Sequence, residues 1–234
     1  MMRNTAWVHS NGRRQFLRTA LSGVVAGVAA QAGIDFVAPA RLNALATLTP
    51  ETALQDLLDG NQRFAANQLT SIQHDLIILK EKTVDKQEPF AAVLACADSR
   101  VPVELLFDQT IGHIFVTRVA GNIATPEIIA SLEYAVVVLG VQALLVLGHS
   151  NCGAVKAAMT TENVPGQISA LYSRLRLAVD LSRDSLDKAI AANAKVQADL
   201  LRTSSTVILN AVKEDKLKVA AAVYNLGTGR VTLV

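Results

Sequence analysis

The sequence predicts an α/β protein: a central, mostly parallel sheet of about four strands plus an edge strand, flanked by helices. Three observations predict it. Residues 90–95 and 141–147 are short apolar runs and residues 114–119 a β-branched run, the pattern of strands buried on both faces. Helical stretches such as residues 126–139 separate them, as crossovers between parallel strands require. Two of the runs end in compact polar clusters, Cys96-Ala97-Asp98-Ser99-Arg100 and His149-Ser150-Asn151-Cys152-Gly153. That places both clusters at the carboxyl edge of the sheet, where open α/β folds bind ligands.

In chain order, residues 49–68 read as a capped amphipathic helix. Ala53, Leu54, Leu57, Leu58 and Phe64 recur at helical spacing, Pro50 suits the first helical position, and Glu51 the positive end of the dipole. A more polar helix is expected over residues 72–83, and residues 86–89 read as a turn into the core. The β-branched run after Gly112 is the second strand, and the run ending in Gly148 leads into His149. A long helical region spans residue 166 to about residue 201. Residues 218–224 and 230–234, joined by Gly227-Thr228-Gly229, close the chain as a strand pair. No internal repeat or low-complexity tract interrupts this order.

At 234 residues and 51% hydrophobic, the chain suffices for one full core. Net charge is +2 and aromatic residues are 4%, with no basic stripe, so no nucleic-acid surface is expected. The expected partner is a small molecule.

The first residues read differently. Arg13-Arg14-Gln15-Phe16-Leu17-Arg18 precedes a weakly apolar stretch over residues 19–34, a basic region followed by an apolar one. The stretch is too short and too rich in Gly and Ala for a membrane span of about 20 apolar residues, so no stable membrane anchor is expected. The paired arginines resemble a twin-arginine export signal, with Gly12 and Arg18 departing from the usual residues. Ala38-Pro39-Ala40 and Ala44-Leu45-Ala46 are candidate cleavage sites, and the bond after Ala46 is favoured. Residues 1–46 are therefore expected to be a cleaved export signal and residues 47–234 a single domain in a periplasmic or secreted protein. Cleavage there turns 22 basic against 20 acidic residues into 17 against 19.

Cys96 and Asp98 are two apart, so both turn toward one point past a strand end, and His149 and Cys152 share one side of a turn. Thiolate, imidazole and thiolate are donors that zinc prefers, and three of them leave a fourth position open. In an oxidising compartment the two cysteines have an alternative, a disulfide. Arg100 favours catalysis over a structural metal: beside it Asp98 stays ionised. Asp98 then either coordinates the metal and closes the site or accepts a hydrogen bond from a metal-bound water.

These residues resemble the β-class carbonic anhydrases. The matching segments are Gly60-Asn61-Gln62-Arg63-Phe64, residues 89–102, residues 115–122, Leu132-Glu133-Tyr134-Ala135-Val136, residues 148–155 and residues 223–229. The resemblance implies reversible hydration of carbon dioxide to bicarbonate and a proton by zinc-bound hydroxide, one Zn2+ per subunit being held by Cys96, His149 and Cys152. Asp98 and Arg100 fall on the family's catalytic dyad. Gln87 falls on a substrate-contacting glutamine of the plant-like branch, and Phe115 and Tyr134 on pocket-lining aromatics, all three contributed across a dimer interface. The N-terminal helix is then expected to pack on a partner subunit, in a homodimer or dimer of dimers. The carbon dioxide pocket is expected near Val93, Phe115 and Tyr134. Val93 also stands where the bicarbonate-inhibited branch places a tryptophan, which argues against that switch, although Arg118 matches an arginine shared by the family. His9, His74 and His113 show no ligand spacing.

Three rivals stand beside this reading. Cys152 with His149 makes an acyl-transfer pair, which a zinc-loaded protein with unreactive thiols excludes. A zinc-stabilised binding module has the metal without turnover. A carbon disulfide-type hydrolase shares the fold and the chemistry of a linear electrophile.

Overall fold

The structure, a computed structural model, describes residues 48–71, 83–160, 164–182 and 185–234. The export segment expected over residues 1–46 and, Thr83 apart, the helix expected over residues 72–83 lie outside the described residues. Helix α1 (Pro50–Ala65) starts at a reciprocal cap: the Thr49 hydroxyl accepts from the Thr52 N–H, and the Thr52 hydroxyl accepts from the Thr49 N–H. Pro50 occupies the first helical position, and Ala53, Leu54 and Leu57 are buried.

The conspicuous Gly60-Asn61-Gln62-Arg63 run at the end of α1 is a docking device. Gly60 lies so close to the carbonyl of Phe107 that a Cβ there would overlap it. Asn61 donates to the carbonyls of Leu106 and Gly229 and accepts from the Val231 N–H, tying three segments together. Arg63 pairs with the buried carboxylate of Asp108. The motif thus seats α1 on the domain.

Strands β1 (Ala91–Ala95), β2 (Ile114–Arg118), β3 (Ala143–His149), β4 (Lys218–Tyr224) and β5 (Val231–Leu233) form one sheet in the order β2-β1-β3-β4-β5. The first four are parallel and β5 is antiparallel to β4, as the sequence predicts. Continuous burial of β1 and β3 follows from helices on both faces. Ala91, Val93 and Ala95 pack on the face that carries α1, whereas Ala92 and Leu94 pack on the opposite face with Leu132, Ala194 and Leu201. Register places Ala95 opposite both Arg118 and Leu147, so β1 and β2 end level and β3 runs two residues further, to His149. From β1 the chain passes first to β2 on one side, and β3 lies on the other. The crevice between the ends of β1 and β3 is therefore a topological switch point.

The remaining described helices are α2 (Val103–Leu106), α3 (Pro126–Val137), α4 (Gly153–Thr160), α5 (Tyr172–Leu181), α6 (Leu186–Ser204) and α7 (Thr206–Lys213). The helical region expected over residues 166–201 is a 3-10 turn, α5 and α6, with α6 running past its expected end. The chain leaves helical geometry at Ser182, and the Ser185 hydroxyl caps a new start. Ser205 likewise restarts the chain as α7, whose short length gave little periodicity to read. Among the described residues no helix is long and apolar enough to cross a membrane.

Candidate metal centre and active site

Cys96 follows β1 directly, His149 is the last residue of β3, and Cys152 precedes the first residue of α4. All three are buried, and their sulfur and nitrogen atoms lie within 4.8 Å of one another. The two strand ends supply the convergence that sequence spacing alone requires but does not show. Both cysteines are free thiols, so the disulfide alternative is not the arrangement adopted.

His149 is oriented by its neighbour. Its Nδ1 lies 3.0 Å from the carbonyl oxygen of Ser150, an acceptor, so Nδ1 carries the proton and Nε2 presents a lone pair. Nε2 is fully buried without a hydrogen-bond partner. A buried lone pair facing two sulfurs is a costly vacancy for a polar contact and a suitable one for a metal. Ser150 is itself fixed by β4 and the following turn: its N–H donates to the Tyr224 carbonyl and its hydroxyl accepts from the Leu226 N–H.

Each sulfur has main-chain donors. The Gly121 N–H lies 3.3 Å from Cys96 Sγ. The N–H groups of Ala154 and Val155, in the first turn of α4, act on Cys152. The two thiols face each other across a hydrogen bond. The hydrogen bond from Cys152, outweighing burial and aided by the N–H of Gly121, holds the Cys96 thiol well below its usual range. Facing that thiolate, Cys152 is pushed up. A divalent cation held there by Cys96, His149 and Cys152 would displace the thiol protons and neutralise both sulfurs.

Asp98 and Arg100 face each other beside this centre. Arg100 donates from its backbone N–H and Nε to Asp98 Oδ1, at 2.9 Å each, and from Nη2 to Oδ2 at 2.8 Å. These bonds, led by the guanidinium, hold the Asp98 carboxyl well below the usual carboxylate range. Oδ2 lies 3.8 Å from His149 Nε2, so it faces the centre. The residues that converge as a donor set are Cys96, His149 and Cys152; Asp98, also named as a ligand from the sequence, stands beside them in a bidentate pair with Arg100. Arg118, from the end of β2, donates to the carbonyls of Cys96 and Asp98 and pins the intervening loop.

Gln87, Phe115 and Tyr134 do not join this cluster within one chain. Gln87 is exposed in the segment that enters β1, at the opposite end of that strand from Cys96. Phe115 pairs in register with Ala92 and contacts the ring of Tyr134, centroids 6.3 Å apart. Within one chain Val93 belongs to the core face bearing α1 and Phe115 packs on the other, in keeping with Phe115 and Tyr134 being expected to act across an interface and not beside Val93 of the same chain. His113 is exposed, with Nδ1 3.1 Å from the Thr110 hydroxyl.

Thiolate, imidazole and thiolate at the switch point of a parallel sheet, with an ion-paired carboxylate alongside, define a zinc-dependent α/β enzyme. Residues 91–231 match the family model described as carbonic anhydrase. The carbonic anhydrase of Mycolicibacterium smegmatis is 35% identical over 192 residues, covering 79% of this chain and 93% of that protein. Carbonic anhydrase 2 of Mycobacterium tuberculosis is 33% identical over 79% of this chain and 92% of its own. The structure of the Coccomyxa β-carbonic anhydrase in complex with acetazolamide superposes with a TM-score of 0.61 at 29% identity, covering 77% of this chain and 86% of that one. The chain belongs to the carbonic anhydrase family, in its β class. Zinc is its cofactor, and Cys96, His149 and Cys152 are placed to hold it.

Proposed function

We propose that this chain catalyses the reversible hydration of carbon dioxide to bicarbonate and a proton, with Asp98 and Arg100 as the orienting dyad. The observation that carries the reading is the bidentate Asp98–Arg100 pair with Oδ2 facing the donor set. Zinc bound there supplies a Lewis acid that brings the pKa of water to about 7. Asp98, anionic because Arg100 faces it, only accepts hydrogen bonds, so it selects which proton of an incoming water points away from the substrate. Arg100, also 3.4 Å from the Asn151 carbonyl, holds the carboxylate against rotation toward the metal. Ion-pairing of Asp98 supports an orienting role over that of a fourth ligand. Isotope exchange tests the reading: zinc-loaded protein should accelerate loss of 18O label from carbon dioxide into water, and chelated protein should not.

Gln87, Phe115 and Tyr134 serve the site of a partner copy, in a homodimer or dimer of dimers. Tyr134 and Val137 of α3 and Val138 at its C-cap are 46%, 67% and 61% exposed, an apolar face beside the outer strand β2, which supports an interface there. Val137→Glu is expected to shift the protein to monomer in sedimentation velocity and to lower hydration activity at equal zinc content. Retention of the parent's oligomer and rate would remove this face from the interface.

The Arg13-Arg14 segment supports export of the folded, metal-loaded domain, in which zinc keeps both thiols from oxidation. N-terminal sequencing of protein from the periplasmic fraction tests this: a start at Thr47 is expected, and an intact N-terminus in the cytoplasm contradicts it.

A further inference from the structure

Helix α6 buries an otherwise apolar face of Ala189, Ile190, Ala194, Ala198 and Leu201, yet two amide side chains, Asn193 and Gln197, sit among them, each 1% exposed. Amides are poor core residues unless every group is paired. Here the pairing is directional. The Ala124 N–H, which can only donate, bonds Gln197 Oε1 at 2.9 Å, so Gln197 Nε2 faces the other way, toward Asn193 Oδ1 at 3.0 Å and the Arg174 carbonyl at 3.2 Å. Asn193 is thereby turned so that its Nδ2 donates to the Gly121 carbonyl at 2.9 Å. The chain of donors leaves neither amide free to flip.

Gly121 is the residue whose N–H meets Cys96 Sγ. It sits at φ 77 and ψ 13, and Asn122 follows at φ 43, so two consecutive residues are left-handed. Glycine has the widest choice of backbone conformation, and Gly121 has no side chain to fix its own peptide groups. What fixes them is Asn193.

We propose that Asn193 is a positioning residue for the metal centre: through the Gly121 carbonyl it holds the Gly121 N–H on Cys96 Sγ, and Gln197 sets its orientation. The hydrogen bond withdraws charge from the thiolate and so tunes both zinc affinity and the electron donation of sulfur to the metal. This inference rests on Cys96 as a zinc ligand.

The test uses Asn193→Leu, which keeps side-chain size and removes the donor, with cobalt replacing zinc as a spectroscopic probe. Released from its N–H donor, the sulfur is more electron-rich, so the sulfur-to-cobalt charge-transfer band should move to longer wavelength, and zinc affinity by chelator competition should fall about 10- to 100-fold. Leu201→Ala, a packing lesion on the same helix, should lower the unfolding midpoint without moving the band. An Asn193→Leu protein that binds cobalt with an unmoved band and parental zinc affinity overturns the proposal. Should that variant fail to fold, Gln197→Met, which frees Asn193 to rotate, decides: a band moved in the same direction supports the proposal and an unmoved band overturns it. A parent protein without any sulfur-to-cobalt band would instead overturn the cysteine ligation itself.

Discussion

Asp98→Asn is expected to lower kcat/KM for carbon dioxide hydration by about 10²- to 10⁴-fold, the range over which positioned proton acceptors act, while zinc content stays at the parent level. The geometry sets the direction. Oδ1 accepts from the Arg100 backbone and Nε, and Oδ2 accepts from Nη2 while facing the donor set. An amide that keeps its oxygen at Oδ1 puts an NH2 group where Oδ2 stood. That group meets Arg100 Nη2 donor to donor, and it offers a proton toward the centre where an acceptor stood. The flipped amide keeps an oxygen toward the centre and meets two Arg100 donors with its NH2. Both orientations lose the fixed anionic acceptor, and neither touches Cys96, His149 or Cys152. Stopped-flow hydration with metal quantified in the same preparation measures the effect; a variant as fast as the parent contradicts the role assigned to Asp98.

Cys96→Ser is expected to lose zinc and activity together, with metal affinity down at least about 100-fold, because a serine hydroxyl does not ionise in this range and is a poorer zinc donor. The loss extends to stability. Cys96 and Cys152 lie in one buried cluster with Ile123, Val155, Leu175 and Ile190, so the metal cross-links the end of β1 to the start of α4 through the core. Zinc held at a hundred times its dissociation constant stabilises the folded state by ~2.7 kcal/mol. The parent's unfolding midpoint should therefore fall on chelation, and that of Cys96→Ser should not respond. A serine variant that retains one zinc and the parental response would require a different ligand set.

Much of this centre was legible in the sequence because its residues come in two short runs, each at the end of an apolar strand. Strand ends are set by local composition, so Cys96, His149 and Cys152 were placed before their convergence was visible. The dyad was legible for the same reason, two residues apart in one loop. The bidentate pairing of Asp98 with Arg100 was not, since its geometry is not recorded in the spacing. Which face Val93 and Phe115 occupy was not legible, because strand order and face depend on long-range pairing; with β2 in register with β1, alternation sends the two to opposite faces of one chain. The helical region after residue 166 shows the local limit: its breaks lie at serines that cap new helices, a weak signal within a helix-forming run.

Asn193 and Gln197 were missed although a signal existed, two amides four residues apart on the apolar face of a long helix. Such a pair is readable as a demand for buried polar partners, but the partners, Gly121 and Ala124, are about seventy residues away. Arg118 stands out in the sequence as a match to a family arginine, but its contacts are with carbonyl oxygens, which no side-chain motif records.

The most direct test of the account is stopped-flow carbon dioxide hydration by metal-free protein titrated with zinc. Activity should rise linearly with zinc and stop at one equivalent per chain. Full zinc binding without acceleration of hydration, or activity in the metal-free protein, would contradict it.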